Sequence, residues 1–321
     1  MNLLVTGGAG FLGSHFVRSL LADRLPGLSG ARVTVIDKLS YAGNFGNLAD
    51  VAHDERLDFI PGDIADAALA DVVTRGHDAV VNFAAETSVD RSLAAPAAFV
   101  TSNVVGTQIL LDAARRHGVP RFVQVSSDAV YGPLDTGAYA EDAPLRPTSP
   151  YAATKATADL LVLAAHRTHG LGATVVRLCS AFGPGQHPEK FLPRVVTAVL
   201  SGYPAEVNGS TRDWLHVADC TAAVGRVVAG GRPGEVYHAG GSIELTERDV
   251  AGLIVAELGP PAARLETVAI GPGHDQRRAL SDEKLRSELG WHPEVEFDTG
   301  LIGTLAWYRA NPSWWRPLLA F

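Results

Sequence analysis

Six short apolar runs, rich in β-branched residues, punctuate the first half of the chain: Leu3–Thr6, Val33–Asp37, Leu57–Ile60, Ala79–Ala84, Phe122–Ser126 and Thr174–Leu178. Each is apolar almost throughout, not alternating, which predicts strands covered on both faces, as in a parallel sheet under helices. Between them the spacing predicts helices over Phe11–Ala22, Ala97–His117 and Tyr151–Thr168. In the second, Val100, Val104, Thr107, Leu111 and Ala114 fall on one stripe. Strand alternating with helix predicts a doubly wound α/β fold of the Rossmann kind. Past Gly183 the rhythm changes: Gly and Pro become frequent and strands stand alone. This predicts a first lobe over 1–180 and a smaller, interleaved C-terminal lobe over 181–321. Trp214–Gly231 reads as a segment returning to the first lobe. Further helices are expected from Thr246 to about Leu258 and near Ser281–Leu289.

With 321 residues, 46% hydrophobic and 19% charged, the chain has ordinary globular composition. Its formal net charge of −8 excludes a wholesale nucleic-acid binder and makes any phosphate recognition local. The N-terminus lacks a basic segment before its apolar run, which predicts no signal peptide. No stretch of about 18 uncharged apolar residues is evident, so no membrane span is expected. Two cysteines, Cys179 and Cys220, read as buried free thiols in a reducing cytoplasm, with a lone disulfide as the alternative. No metal site is expected.

Gly7-Gly8-Ala9-Gly10-Phe11-Leu12-Gly13 places three glycines between the first strand and the first helix. A diphosphate needs backbone amides at a helix N-terminus with no Cβ holding it off. Gly7 suits the tight turn, Gly10 the close approach and Gly13 the helix–sheet contact, with Phe11 and Leu12 between them. A glycine-rich turn without ligand is the competing reading; the strand–turn–helix context favours a dinucleotide. Asp37, ending the second strand and followed by Lys38, would accept from the adenosine ribose and repel a 2′-phosphate, which selects NAD. A solvated loop carboxylate is the alternative. Asp63 and Ile64 after the third strand suit the adenine, and Ala84 after the fourth leaves room for the cofactor.

Tyr151 and Lys155 stand four residues apart on one helix face. A phenol titrates near ~10. The Lys155 cation, helped by the nicotinamide charge, is expected to lower it so that Tyr151 works as a base. Ser127, closing the fifth strand, is placed to bond the same hydroxyl. The plain alternative is an aromatic–lysine pair on a surface helix. Together with the glycine turn, the set predicts that Tyr151 takes a proton from an alcohol while its hydride passes to NAD.

These motifs resemble the extended short-chain dehydrogenase/reductases and, within them, the dTDP-glucose 4,6-dehydratases, over nearly the whole chain. The resemblance rests on Asp37-Lys38-Leu39-Ser40-Tyr41-Ala42-Gly43-Asn44, Ala85-Glu86 before Val89-Asp90-Arg91-Ser92, Asn103 with Gly106-Thr107, and Pro188-Glu189-Lys190 with Pro193. Arg212-Asp213-Trp214, Gly271-Pro272-Gly273-His274-Asp275 and Glu288-Leu289-Gly290-Trp291 extend it. It implies a nucleoside-diphosphate hexose, dTDP- or UDP-linked, as substrate: C4 is oxidised, water leaves across C5 and C6, and hydride returns to C6. It implies Arg212 on the diphosphate and Lys190 and His274 near the nucleotide end, with Glu86, Ser88, Ser180 and Glu189 also facing substrate. Arg212 reads equally as a structural ion pair, and Lys190 and His274 as surface groups. A homodimer is implied, with the helices Ala97–His117 and Tyr151–Thr168 pairing as a four-helix bundle.

Several residues depart from that family's pattern. Ser127 stands where it has Thr, and Ala129 replaces the Glu that takes the C5 proton. The Asp that protonates the departing C6 hydroxyl remains as Asp128. Ser180-Ala181-Phe182 replaces Asn-Asn-Tyr, Ser88 replaces His, and Arg278 replaces Tyr. Changes gather at the hexose end while the cofactor side is kept. Ser126-Ser127 with Ala129-Val130-Tyr131-Gly132 also resembles nucleotide-sugar 4-epimerases, which need no C5 base. Dehydration and redox-only chemistry, as an epimerase or 4-oxidoreductase, therefore both stay open. A non-catalytic NAD-binding protein is the remaining alternative.

Overall fold

A computed structural model describes residues 1–241, 243–259 and 264–319. Thirteen strands occur among them: β1 Asn2–Thr6, β2 Arg32–Asp37, β3 Leu57–Pro61, β4 Ala79–Asn82, β5 Arg121–Ser127, β6 Ala173–Leu178, β7 Ser180–Phe182, β8 Ala205–Val207, β9 Thr211–His216, β10 Val236–Ala239, β11 Ile243–Thr246, β12 Leu265–Thr267 and β13 Arg277–Arg278. Seven form one parallel sheet in the order β10-β6-β5-β4-β1-β2-β3. This is the expected doubly wound Rossmann arrangement, whose order reverses between β1 and β4.

Successive side chains on a strand face opposite ways, so each strand feeds two cores. Leu3 and Val5 pack with Phe16, Val17 and Leu20 of the helix Phe11–Leu21, and with Val224 and Val227 of the helix Val217–Gly230. Leu4 faces the other way, toward Leu110, Leu111 and Val162. A third core, around Phe182, Trp214, Val250, Phe297 and Tyr308, belongs to the C-terminal part. The chain crosses back twice: the helix Val217–Gly230 packs on Phe11–Leu21, and β10 supplies the seventh strand beside β6. Only the first of these returns is evident from apolar patterning, because the four residues of β10 follow no helix-length run.

The expected helix over Ala97–His117 extends over Pro96–Arg116, but its stripe differs. Residues Val100–Gly106 form a π-turn, which inserts a residue and rotates the buried face. Val100 is exposed, and Ser102, Asn103 and Gly106 point inward. Asn103 accepts from the Glu86 amide (2.8 Å) and donates to Thr154 Oγ1 (2.9 Å). This helical run is, by length and mean hydropathy, apolar enough to cross a bilayer, but it contains Asp112, Arg115 and Arg116 and is not an uncharged apolar stretch; half of the window lies buried inside the fold. Its apolarity serves packing against the sheet and against the helix Pro150–His169. Cys179 and Cys220 are both free and buried.

Candidate active site

The C-terminal ends of the parallel strands open into a cleft of about 380 Å³. At one end stands the glycine turn. Gly7 adopts φ +69, and a Cβ there would lie 2.6 Å from the Ala84 nitrogen; one on Gly13 would lie 2.2 Å from the Gly7 oxygen. Gly10 is the N-cap of the helix Phe11–Leu21 and offers no side-chain cap, so the first turn keeps amides without a side-chain partner, and its residues Phe11 and Leu12 line the cleft. Asp37 Oδ2 accepts from the Ala9 amide (3.0 Å) and Oδ1 from Leu39 (2.8 Å), which clamps the turn to β2. Burial raises its carboxyl above the usual range, against those two amides. Lys38 donates to Ser102 Oγ (2.8 Å) and lies 3.5 Å from Glu86 and 3.7 Å from Asp63. Asp37, Lys38, Asp63, Ile64 and Ala84 all line the cleft. The acidic rim of Asp37 and Asp63 suits a ribose with free hydroxyls better than a 2′-phosphate.

β5 ends in Ser127, and a short 3-10 turn over Asp128–Tyr131 follows. The helix Pro150–His169 is started by Ser149, whose Oγ accepts from the Ala152 amide, with Pro150 at its first position. That start sets Tyr151 in the first turn, on the cleft wall with Ser127 and Asp128. One turn on, Lys155 is buried behind the wall, and its Nζ donates to the Val125 carbonyl at 2.6 Å. Burial pushes the Tyr151 phenol up, opposed by the Ser127 hydroxyl and by Arg278. The expected lowering by Lys155 is thus absent from the polypeptide alone, since the ammonium is turned to a backbone carbonyl. Burial also brings Lys155 down to about 8, with Asp159 opposing.

A pH signature follows. Activity that depends on the Lys155 charge is expected to fall as pH rises past about 8. Stability runs the other way: between that value and the unfolded value near ~10.4, the unfolded chain holds a proton that the folded chain has released, so Lys155 adds stability with rising pH. Comparison of pH–rate profiles and urea midpoints for parent and Lys155→Met checks both signs; parallel stability curves would contradict the assignment.

At the other end, β9 brings Arg212, and β13 lays Arg278 beside it in register. Arg212 donates to the Asp275 carbonyl (2.8 Å) and lies 3.7 Å from Glu247. Burial, with repulsion from Arg278, lowers it to about 10. Lys190 donates to the Thr87 carbonyl (2.7 Å), and Glu189 accepts from Tyr41 Oη (3.0 Å). Ser180, Glu189, Lys190 and Arg212 line the cleft. Three expected substrate residues do not. Glu86 turns to Lys38, Ser88 caps the helix Val89–Ala94 by accepting from Arg91, and His274 pairs with Asp90 (3.0 Å) at the surface. Sequence reading leaves unassigned three wall residues, Gln186, His187 and Glu247, and gives no sign of what Arg278 touches. Its Nε lies 3.0 Å from Asp128 Oδ2, and its Nη1 donates to Asp275 Oδ2 at 2.8 Å. Behind the wall, Arg177 bonds Asp159 (2.8 Å) and Tyr131 Oη, which in turn meets His238 (2.6 Å).

A Rossmann sheet with a glycine cradle and a Tyr/Lys/Ser set at its strand ends defines a short-chain dehydrogenase/reductase of the extended kind. Residues 4–304 match the family model of GDP-mannose 4,6 dehydratase, and the chain belongs to this family. It is 50% identical over 321 residues to a dTDP-glucose 4,6-dehydratase of Streptomyces niveus, covering 99% of this chain and 96% of the relative. Among solved structures, a double mutant of the dTDP-glucose 4,6-dehydratase DesIV from Streptomyces venezuelae, with NAD and DAU bound, superposes with a TM-score of 0.97 at 48% identity. That match covers 99% of this chain and 100% of the other. The UDP-glucose 4-epimerase of Thermus thermophilus, in complex with NAD, gives 0.87 at 30% identity, covering 97% of this chain and 100% of the other.

Proposed function

We propose that this chain is an NAD-dependent enzyme that modifies a nucleoside-diphosphate hexose by oxidising its C4 carbinol. The observation that carries the reading is the meeting, in one cleft, of the glycine cradle, Tyr151 with Ser127, and Arg212 with Lys190. Gly7, Gly10 and Gly13 fit a diphosphate, since a Cβ at Gly7 or Gly13 would collide with backbone; Phe11 and Leu12 would supply amides, and Asp37 would meet the ribose. When bound, NAD supplies the hydride acceptor. Tyr151 holds the proton of the substrate hydroxyl, Ser127 orients that hydroxyl, and Lys155 contributes a cation behind them. Arg212 and Lys190 offset the charge of the substrate diphosphate. Residues 1–180, with the returning helix Val217–Gly230, form the NAD-binding domain in this reading, and most of 181–321 holds the nucleotide sugar.

Relatives of half identity are dTDP-glucose 4,6-dehydratases, and 4-epimerases match at lower identity, which supports a dTDP- or UDP-linked hexose. A homodimer in the cytoplasm suits the exposed apolar residues Val100, Val105 and Leu160 on two neighbouring helices and the free thiols. The test incubates the NAD-loaded protein with dTDP- and UDP-hexoses, follows reduced nicotinamide by absorbance, and weighs the same preparation by sedimentation. Reduction with at least one sugar and twice the protomer mass are expected. No reduction by any sugar would remove the reading, and a monomer would remove the dimer.

A further inference from the structure

Converting a 4-keto hexose into a 6-deoxy product needs one group to take the C5 proton and another to give a proton to the leaving C6 hydroxyl. The wall beside Tyr151 holds Ser127, Asp128 and Arg278. Ala129, next along the turn, is buried and carries no titratable atom. Asp128 Oδ1 accepts from Ser127 Oγ (2.9 Å), and Oδ2 is ion-paired with Arg278 Nε at 3.0 Å, although neither Oδ2 nor Nε makes a hydrogen bond. The Asp128 carboxylate is thus met at close range by the Arg278 cation and by one hydroxyl donor. Arg278 stays a cation: burial opposes its charge, and Asp128 and Asp275 outweigh burial. Asp275 is itself fixed, accepting from Thr148 Oγ1 (2.6 Å) and from Arg278. Among the described wall residues, two further ionisable groups have an open atom, His187 Nε2 and Glu247 Oε2. His187 contacts the Tyr41 ring and the Glu189 amide, and Glu247 is set against Arg212 at 3.7 Å, so neither is paired with Asp128 or Arg278.

We propose that Arg278, by matching Asp128, confines the reaction to C4, so that the product keeps both its C5 hydrogen and its C6 oxygen. The inference rests on the C4-oxidation reading above. With NAD+ bound as hydride acceptor, the C4–H bond would break with its electron pair leaving to the nicotinamide, the O4 proton would pass to the Tyr151 phenolate, and the C4=O bond would form. No bond at C5 or C6 breaks. The ketone is released or takes hydride back at C4. Because Arg278 is already matched by the chain's own carboxylates, a 6-carboxylate finds no counter-ion there, and the substrate is a hexose with a neutral C6 carbinol.

The test uses the NAD-loaded protein, dTDP-glucose and UDP-glucose, with mass spectrometry of the product and absorbance of reduced nicotinamide. The parent protein is expected to reduce nicotinamide and to give a product that has lost no water. Ala129→Glu/Arg278→Tyr restores a base and frees Asp128, and is expected to lose water about 10²–10⁴-fold faster than the parent. A parent product lighter by one water overturns the inference. So does a double variant that folds by circular dichroism and still reduces nicotinamide, yet gains no water loss. If the double variant does not fold, the parent product mass decides alone. A parent that reduces no nicotinamide even transiently, in a single turnover, and leaves every sugar unchanged fails at the C4 reading itself, and the inference falls with it; that failure is told apart by the absorbance.

Discussion

Tyr151→Phe is expected to lower kcat by about 10²–10⁴-fold, the range for removing a general acid–base group, with little effect on folding or dinucleotide retention. The substitution removes a single oxygen. The ring keeps its place in the first turn of the helix Pro150–His169 and its edge contact with Phe99, 6.5 Å between centroids. The glycine cradle and Asp37 are untouched, so binding of NAD should stay within a few-fold of the parent. What is lost is the atom that accepts the O4 proton, and neither Ser127, bonded to Asp128, nor Lys155, bonded to the Val125 carbonyl, is free to replace it. Single-turnover reduction of bound NAD measures the chemical step directly. A rate close to the parent's would show that the phenol is a wall residue and would return the function to a binding role.

Much of this architecture is legible in the chain because burial on both faces leaves a strong mark. β1 to β6 are near-continuous apolar runs, and each falls within a few residues of its expected place. The cradle is legible because Gly7 and Gly13 sit where a Cβ would strike backbone, a constraint that leaves glycine as the residue written there. The π-turn in Pro96–Arg116 is not legible: it is set by tertiary contacts of Asn103 and Gly106, and no residue pattern announces an extra residue in a turn. β10 escapes because its neighbour in the sheet, β6, is remote in sequence. The same remoteness hides the pairing of Arg278 with Asp128. Sequence comparison marks both positions as notable, but only the fold shows that they touch. Glu86, Ser88 and His274 illustrate the converse. Motif membership drew them toward the substrate, yet each finds a nearer partner in Lys38, Arg91 or Asp90.

The second large effect concerns stability and lies one layer behind the cleft. Arg177 and Asp159 form an ion pair that is almost wholly buried, 2.8 Å apart, with Arg177 also bonded to Tyr131 Oη. Burial opposes the charge on Arg177, and Asp159 with Tyr131 more than restores it. Arg177→Met leaves the Asp159 charge without a counter-ion and is expected to cost about 3–5 kcal/mol, whereas replacing a buried pair with apolar residues of similar volume is often neutral. Arg177→Met/Asp159→Leu should therefore recover much of the loss in urea unfolding. Function should not recover with it. Asp159 lies one turn beyond Lys155 and is the charge that resists the effect of burial on that ammonium. Without Asp159, the alkaline limb of the pH–rate profile should move below about 8, even in a protein of normal stability. If Arg177→Met costs under about 1 kcal/mol, far short of the loss expected for a broken buried pair, the pair is not the support argued here. If the double variant keeps the parent's alkaline limb, Asp159 has no hold on Lys155, and the buried network serves the fold alone.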